Sequence, residues 1–122
     1  MLTVLVIDDA ELARKRVAAA LTSEGYHVIQ AVDGVDGWAK LQNGAPIAAV
    51  VLDLNMPRMG GLELLAIMKS EMSAPPPTIM VSSDGEDGLA ERAKALGAKA
   101  WIFKPVQGEL LAAAVRRVAT RM

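Results

Sequence analysis

Along this chain, short apolar β-branched runs alternate with segments of helical period, and the alternation repeats five times. Thr3-Val4-Leu5-Val6-Ile7 ends in Asp8-Asp9. Leu12, Ala13, Val17, Ala20 and Leu21 then recur at helical spacing, with Arg14, Lys15 and Arg16 on the other side, and Gly25 is placed to end the helix. His27–Ala31 reads as a second strand, Asp33-Gly34 as a turn, and Val35–Leu41 as a short helix with Val35, Trp38 and Leu41 inward. Asn43-Gly44-Ala45-Pro46 breaks it. Val50-Val51-Leu52-Asp53 has the continuous apolar character of a strand buried on both faces. Pro57 then holds Met56 away from helical geometry, so a loop precedes the helix at Leu62–Ser70, which offers the core either Leu62, Leu65 and Met68 or Leu64, Ile67 and Met68. After the stiff Ala74-Pro75-Pro76-Pro77 spacer come a strand at Thr78–Val81, a helix from about Glu86 to Leu96 stopped by Gly97, and a strand at Ala100–Phe103. The last helix covers Glu109 to about Arg121, with Leu110, Leu111, Ala114, Val115 and Val118 as its apolar stripe. Strict alternation with short connections implies an α/β fold: a doubly wound, five-stranded parallel sheet with five helices on its two faces.

The length of 122 residues suits one domain, residues 1–122, and the 52% hydrophobic content can fill a core. A net charge of -1 gives no electrostatic basis for binding nucleic acid or an acidic membrane, and only 3% aromatic residues argues against a base-stacking surface. The chain has no cysteine, which excludes thiol chemistry and suits a cytoplasmic setting. No signal-peptide pattern is visible before the first strand, and no apolar run approaches the length of a membrane span.

In a parallel sheet all strands end at one edge, and ligands bind outside it. Four of the five expected strands bring polar residues there: Asp8 and Asp9, Asp53, Ser82 and Ser83, and Lys104. Each has a structural alternative. Asp8 or Asp9 could cap the first helix, Ser82 or Ser83 the fourth, Asp53 its own turn, and Lys104 could be a solvated lysine before a turn proline. Taken together they form a chemically coherent set. Three carboxylates at one edge repel one another, which raises at least one pKa or recruits a hard cation such as Mg²⁺. A hydroxyl and an ammonium opposite them could hold the remaining oxygens of a phosphoryl group, and a carboxylate can act as the nucleophile.

In the ordered set Asp8-Asp9, Asp53-x-Asn55-Met56-Pro57, the hydroxyl after the fourth strand and Lys104-Pro105, the chain resembles the receiver domains of two-component response regulators, the CheY-like family, over essentially its whole length. The resemblance implies strand order 2-1-3-4-5 and an Mg²⁺-dependent phosphoacceptor. Asp53 would take the phosphoryl group from a sensor histidine kinase or phosphotransfer protein. Asp8, Asp9 and Asp53 would serve the metal, Asp8 largely through metal-bound water, together with the backbone carbonyl of Asn55. Ser82 and Lys104 would contact the phosphoryl oxygens. The Lys104–Pro105 bond is often cis in this family. Trp101, Asp84, Ser83 and Pro105 form the expected switching and tuning set. Trp101 stands where a Tyr or Phe commonly switches; it is large for an inward pocket, and partial cover by the ring with a solvated indole N–H is an equal alternative. Asn55 and Asp84 occupy positions that tune loss of the phosphoryl group, which implies a short, CheY-like lifetime.

The resemblance further implies a switched surface of fourth helix, fifth strand and fifth helix read by a downstream protein target, with chemotaxis or motility suggested by the lone-receiver format. The expected state is a monomer or a weak phosphorylation-dependent dimer, with no nucleic-acid or membrane partner; a receiver cut from a larger regulator is the alternative. Arg116, Arg117 and Arg121 read as a solvated face, and His27 shows no sign of a phosphotransfer role. Haloacid-dehalogenase-like phosphatases share the Asp nucleophile, hydroxyl, lysine and metal, but place a general-acid Asp where this chain has Asn55. A flavodoxin-like carrier would need a hydroxyl- and glycine-rich loop where Asp8-Asp9-Ala10-Glu11 stands. The expected chemistry is therefore self-phosphorylation and self-dephosphorylation rather than turnover of other substrates.

Overall fold

The structure is a computed structural model that describes residues 1–83, 85 and 88–119. Among the described residues ten elements alternate without exception: β1 (Thr3–Ile7), α1 (Glu11–Ser23), β2 (His27–Ala31), α2 (Gly34–Gln42), β3 (Ala49–Asp53), α3 (Gly61–Glu71), β4 (Thr78–Ser82), α4 (Leu89–Ala95), β5 (Ala98–Phe103) and α5 (Gly108–Ala119). The strands form one sheet in the order β2-β1-β3-β4-β5, with every neighbouring pair parallel. This is the doubly wound architecture expected above.

Strand alternation divides the core into two halves. On one face Val4, Val6, Val51, Ile79, Val81 and Ile102 pack with Val17 and Leu21 of α1 and Leu111, Val115 and Ala119 of α5. On the other, Leu5, Ile7, Val50, Leu52 and Met80 pack with Leu41, Leu64, Leu65, Met68 and Ala93 of α2, α3 and α4. β3 and β4 are buried throughout, as continuous apolar runs between two helical layers should be. Gly25 and Gly97 follow α1 and α4 with φ of 95° and 106°, the left-handed conformation glycine adopts without a Cβ clash.

Several helix faces differ from the sequence expectation. Leu12 is 65% exposed, whereas Arg14, expected in solvent, is buried. The inward stripe of α1 is Arg14, Val17, Ala18 and Leu21, which is helically periodic but begins on a cation. Arg14 lies over the ends of β1 and β2, donating from Nη1 to the Asp8 carbonyl at 2.9 Å and from Nε to Gln30 Oε1 at 3.0 Å, and these bonds allow its burial. In α2, Gly34 and Gly37 are buried with Leu41, Trp38 is half-buried, and Val35 is exposed. In α5, Leu110 is exposed while Leu111, Ala112, Val115 and Ala119 face the sheet. The third helix uses a mixture of its two expected sets: Leu64, Leu65 and Met68. Glu86 and Arg121, named in the expected fourth and fifth helices, lie outside the described residues. No helix among the described residues is long and apolar enough to cross a membrane.

Candidate functional site

The carboxyl ends of β1, β3, β4 and β5 meet at one point. Asp53 is the last residue of β3 and Asp8 follows β1, and each retains only 5% of its accessible surface. Asp8 is fixed on several sides: its N–H donates to the Ala31 carbonyl at 3.1 Å, its Oδ1 accepts from the Ala10 N–H at 2.9 Å, and its carbonyl accepts from Arg14. Asp9 is exposed beside it. One ligand oxygen from each of Asp8, Asp9 and Asp53 lies within 4.8 Å of the others, a group that could hold a metal ion.

Lys104 approaches from β5. Its N–H donates to the Ser82 carbonyl at 2.9 Å, which ties the end of β5 to the end of β4. Its Nζ lies 3.0 Å from Asp53 Oδ1 and 3.5 Å from Asp8 Oδ2. The Lys104–Pro105 peptide is cis. Ser82 closes β4 and is buried at 1% exposure, whereas Ser83 is exposed. Asn55 and Pro57 are exposed in the loop after β3. The edge thus assembles Asp8, Asp9, Asp53, Ser82 and Lys104 from four separate strands. Asp84 lies outside the described residues.

The electrostatics follow from this packing. Burial pushes the Asp53 carboxyl up, the hydrogen bond from Lys104 pulls it down, and the neighbouring charges of Asp8 and Asp9 raise it again, leaving it at about 6. For Lys104, burial favours the neutral amine, but the hydrogen bond and charge of Asp53, with Asp8 behind it, outweigh that and hold the ammonium above its ordinary range. One ammonium cannot neutralise three carboxylates, so the cluster retains an excess of negative charge. All-oxygen donors with excess negative charge are the chemistry a hard divalent cation requires, and the residues fit such an ion.

The capping alternatives are resolved by the same geometry. The residue before α1 is Ala10, with no side-chain cap, and Asp8 bonds the Ala10 N–H instead. The residue before the described α4 is Gly88, not a serine. Trp101 departs from the solvated alternative. It is half-buried against the core cluster of α2, α3 and α4, it meets Phe103 edge-on with ring centroids 6.4 Å apart, and its Nε1 is buried without an acceptor among the described residues. The strand explains this: Trp101 pairs with Met80, whose side chain is in that same core layer, so alternation turns the indole inward.

Sequence reasoning gave Asp33 only a turn and passed over Arg58. Asp33 is buried at 4% exposure, caps α2 by accepting from the Asp36 N–H at 2.8 Å, and receives the guanidinium of Arg58 from the loop after β3. The bonds to Asp36 and Arg58 outweigh burial and hold its carboxyl below the usual range. An Asp before a helix-period segment with a second acid three residues on is a capping signal, but nothing in the sequence pairs Asp33 with Arg58 across 25 positions.

The sequence pattern of the response regulator receiver domain matches residues 4–116. Among curated relatives, the chain is 40% identical over 106 residues to the chemotaxis protein CheY of Treponema pallidum, covering 84% of this chain and 72% of that protein. It is 35% identical over 118 residues to protein PilG of Pseudomonas aeruginosa, covering 94% and 85% respectively. Among solved structures, the Vibrio cholerae chemotaxis protein CheY4 superposes with a TM-score of 0.86 at 33% identity, over 97% of this chain and 98% of that one. The chain belongs to the response regulator receiver domain family, the CheY-like regulators of two-component signalling.

Proposed function

We propose that this protein is an Mg²⁺-dependent phosphoacceptor whose modified residue is Asp53. The observation that carries the reading is the Asp53 carboxylate at a strand end, 3.0 Å from the Lys104 ammonium and flanked by Asp8 and Asp9. A carboxylate oxygen of Asp53 attacks the phosphorus of a phosphohistidine. The P–O bond forms as the P–N bond breaks, and the imidazole leaves with its electron pair and takes up a proton. Asp8, Asp9 and Asp53, with the Asn55 carbonyl, would hold the metal, which neutralises charge on the transferring group. Lys104 and Ser82 then hold the other phosphoryl oxygens, and water hydrolyses the acyl phosphate on a short timescale.

The donor is a sensor histidine kinase or a phosphotransfer protein, and the recipient of the signal is a protein that reads the face made by α4, β5 and α5. The added charge on Asp53 draws Ser82 toward it, and that change is passed on to the α4–β5–α5 face. The process is chemotaxis or motility, and the chemotaxis proteins among the relatives favour the first. Asn55, where a phosphatase would need an acid, supports self-directed chemistry without turnover of external esters. We place the protein in the cytoplasm, as a monomer or a weak phosphorylation-dependent dimer.

The test is intact mass after incubation with Mg²⁺ and a small phosphodonor, beside Asp53→Asn. One added phosphoryl group that requires Mg²⁺ and is absent from the variant is the expected result. A gain that persists in Asp53→Asn, or one indifferent to chelator, would overturn the reading.

A further inference from the structure

We infer that the Asp33–Arg58 ion pair is a strap that fixes the loop between β3 and α3, making both residues positioning residues for the metal held beside Asp53. The inference rests on the proposed reading of that site. The loop is anchored at its two ends: the Leu54 N–H donates to the Val81 carbonyl at 3.0 Å, and the Gly61 N–H returns to the Leu54 carbonyl at 2.8 Å. Asn55, Met56 and Pro57 lie between the first anchor and Arg58. At Arg58 the backbone takes φ 68°, a conformation suited to glycine and strained for a long side chain. What the side chain supplies there is a two-pronged bond: its Nε donates to Asp33 Oδ2 at 2.9 Å and Nη2 donates to the same oxygen. The receiving carboxylate is itself immobilised, being buried and bonded through Oδ1 to the Asp36 N–H.

The next residues show how closely the two loops meet. A Cβ on Gly34 would lie 2.6 Å from the Met59 carbonyl oxygen and 2.8 Å from Met59 Cβ, so the start of α2 presses directly on this loop. A Cβ on Gly61 would lie 2.4 Å from the Asp53 carbonyl oxygen, so the loop's far end presses on the strand end that carries Asp53. Arg58 and Met59 are therefore held against α2, and Asn55 lies in the same loop, between Leu54 and Arg58. Fixing the mid-loop fixes the reach of the Asn55 carbonyl.

Two substitutions of opposite charge test this. Asp33→Asn keeps an oxygen to cap α2 but loses the ion pair; Arg58→Gly accepts the positive φ but loses the guanidinium. If charge alone mattered, removing an anion near the cluster would weaken Mg²⁺ binding and removing a cation would strengthen it. The strap requires both to weaken it. We expect each to raise the Mg²⁺ dissociation constant by about tenfold, the low end for outer partners of metal ligands. The double variant should be no worse than either single, because both break one link. Calorimetric titration of the full chain with MgCl₂ reads this out. Amide exchange in chelator should show the Met59, Gly60 and Gly61 N–H groups losing protection in both variants.

Effects of opposite sign, wild-type affinity in both variants, or changed affinity with unchanged amide protection would each overturn the strap. Wild-type protein that ignores Mg²⁺ would overturn the metal reading and the strap with it. Wild-type binding alongside unaltered variants would overturn the strap alone.

Discussion

Asp53 is where burial and reactivity oppose each other most directly. A carboxyl raised to about 6 binds a proton in the folded state that the unfolded chain has already released above its ordinary pKa near 3.8. In chelator, stability therefore falls as pH rises from about 4 to about 6 and stays lowered above that. The shift corresponds to at most about 3 kcal/mol. Asp53→Asn removes this cost while losing part of the Lys104 ion pair, so it should stabilise the metal-free protein by about 1–3 kcal/mol at pH 7.5 and flatten its stability between pH 4 and 6. Urea denaturation of both proteins in chelator checks this; a variant less stable than wild type at pH 7.5 contradicts it. Trp101 carries a different cost. Its Nε1 is buried without an acceptor among the described residues, a loss of about 1–3 kcal/mol in general. Trp101→Phe keeps an aromatic ring and removes the orphan donor, so its stability should lie within about 1 kcal/mol of wild type, despite the lost ring area. A loss above about 3 kcal/mol would mean that the indole N–H is satisfied.

At the scale of elements, the site depends on how closely helices approach strand ends, and glycines set those distances. Gly61 begins α3 against the Asp53 carbonyl, backbone on backbone, so a methyl group there cannot be accommodated by a side-chain rotation. Gly37 in α2 faces the buried Ile7, where an added Cβ would lie 2.5 Å from Cδ1 and 3.1 Å from Cγ1, side-chain atoms rather than backbone. Gly61→Ala should therefore cost about 2–4 kcal/mol and Gly37→Ala about 1–2 kcal/mol. Thermal melts of the two variants decide the order, and the reverse order would mean that α3 can shift without disturbing the strand. Arg14 is the comparable anchor for α1: it ties that helix to the Asp8 carbonyl and to Gln30 of β2.

For the whole molecule, the sheet gathers the three carboxylates at a cost that a cation bound among them would offset. A ligand present at about 100 times its dissociation constant adds about 2.7 kcal/mol, and for a domain of this size each kcal/mol moves the melting temperature by about 3–5 °C. Saturating Mg²⁺ should thus raise the melting temperature by roughly 10 °C. Asp53→Asn, lacking one ligand charge, should gain clearly less. Scanning calorimetry with and without chelator checks both, and equal gains would show that the cation binds elsewhere.

Alternation of apolar runs with helix-period segments determined the fold class, because a chain must bury those runs between two helical layers wherever its helices point. The residues at strand ends were legible for the same reason: parallel strands share one exit edge, so Asp8, Asp53, Ser82 and Lys104 had to converge once the strands were placed. What only the tertiary structure decided was the phase of individual side chains and the contacts between distant loops. Leu12 and Leu110 fit apolar stripes but lie beyond the sheet's cover, whereas Arg14 fits a polar face but lies over two strand ends with acceptors within reach. Asp33 and Arg58 belong to different loops, and their meeting depends on the close seating of α2 against the loop after β3. Periodicity reports which face of an element is apolar; it carries no information about where that element stops over its neighbours, and that offset decides which polar groups find partners.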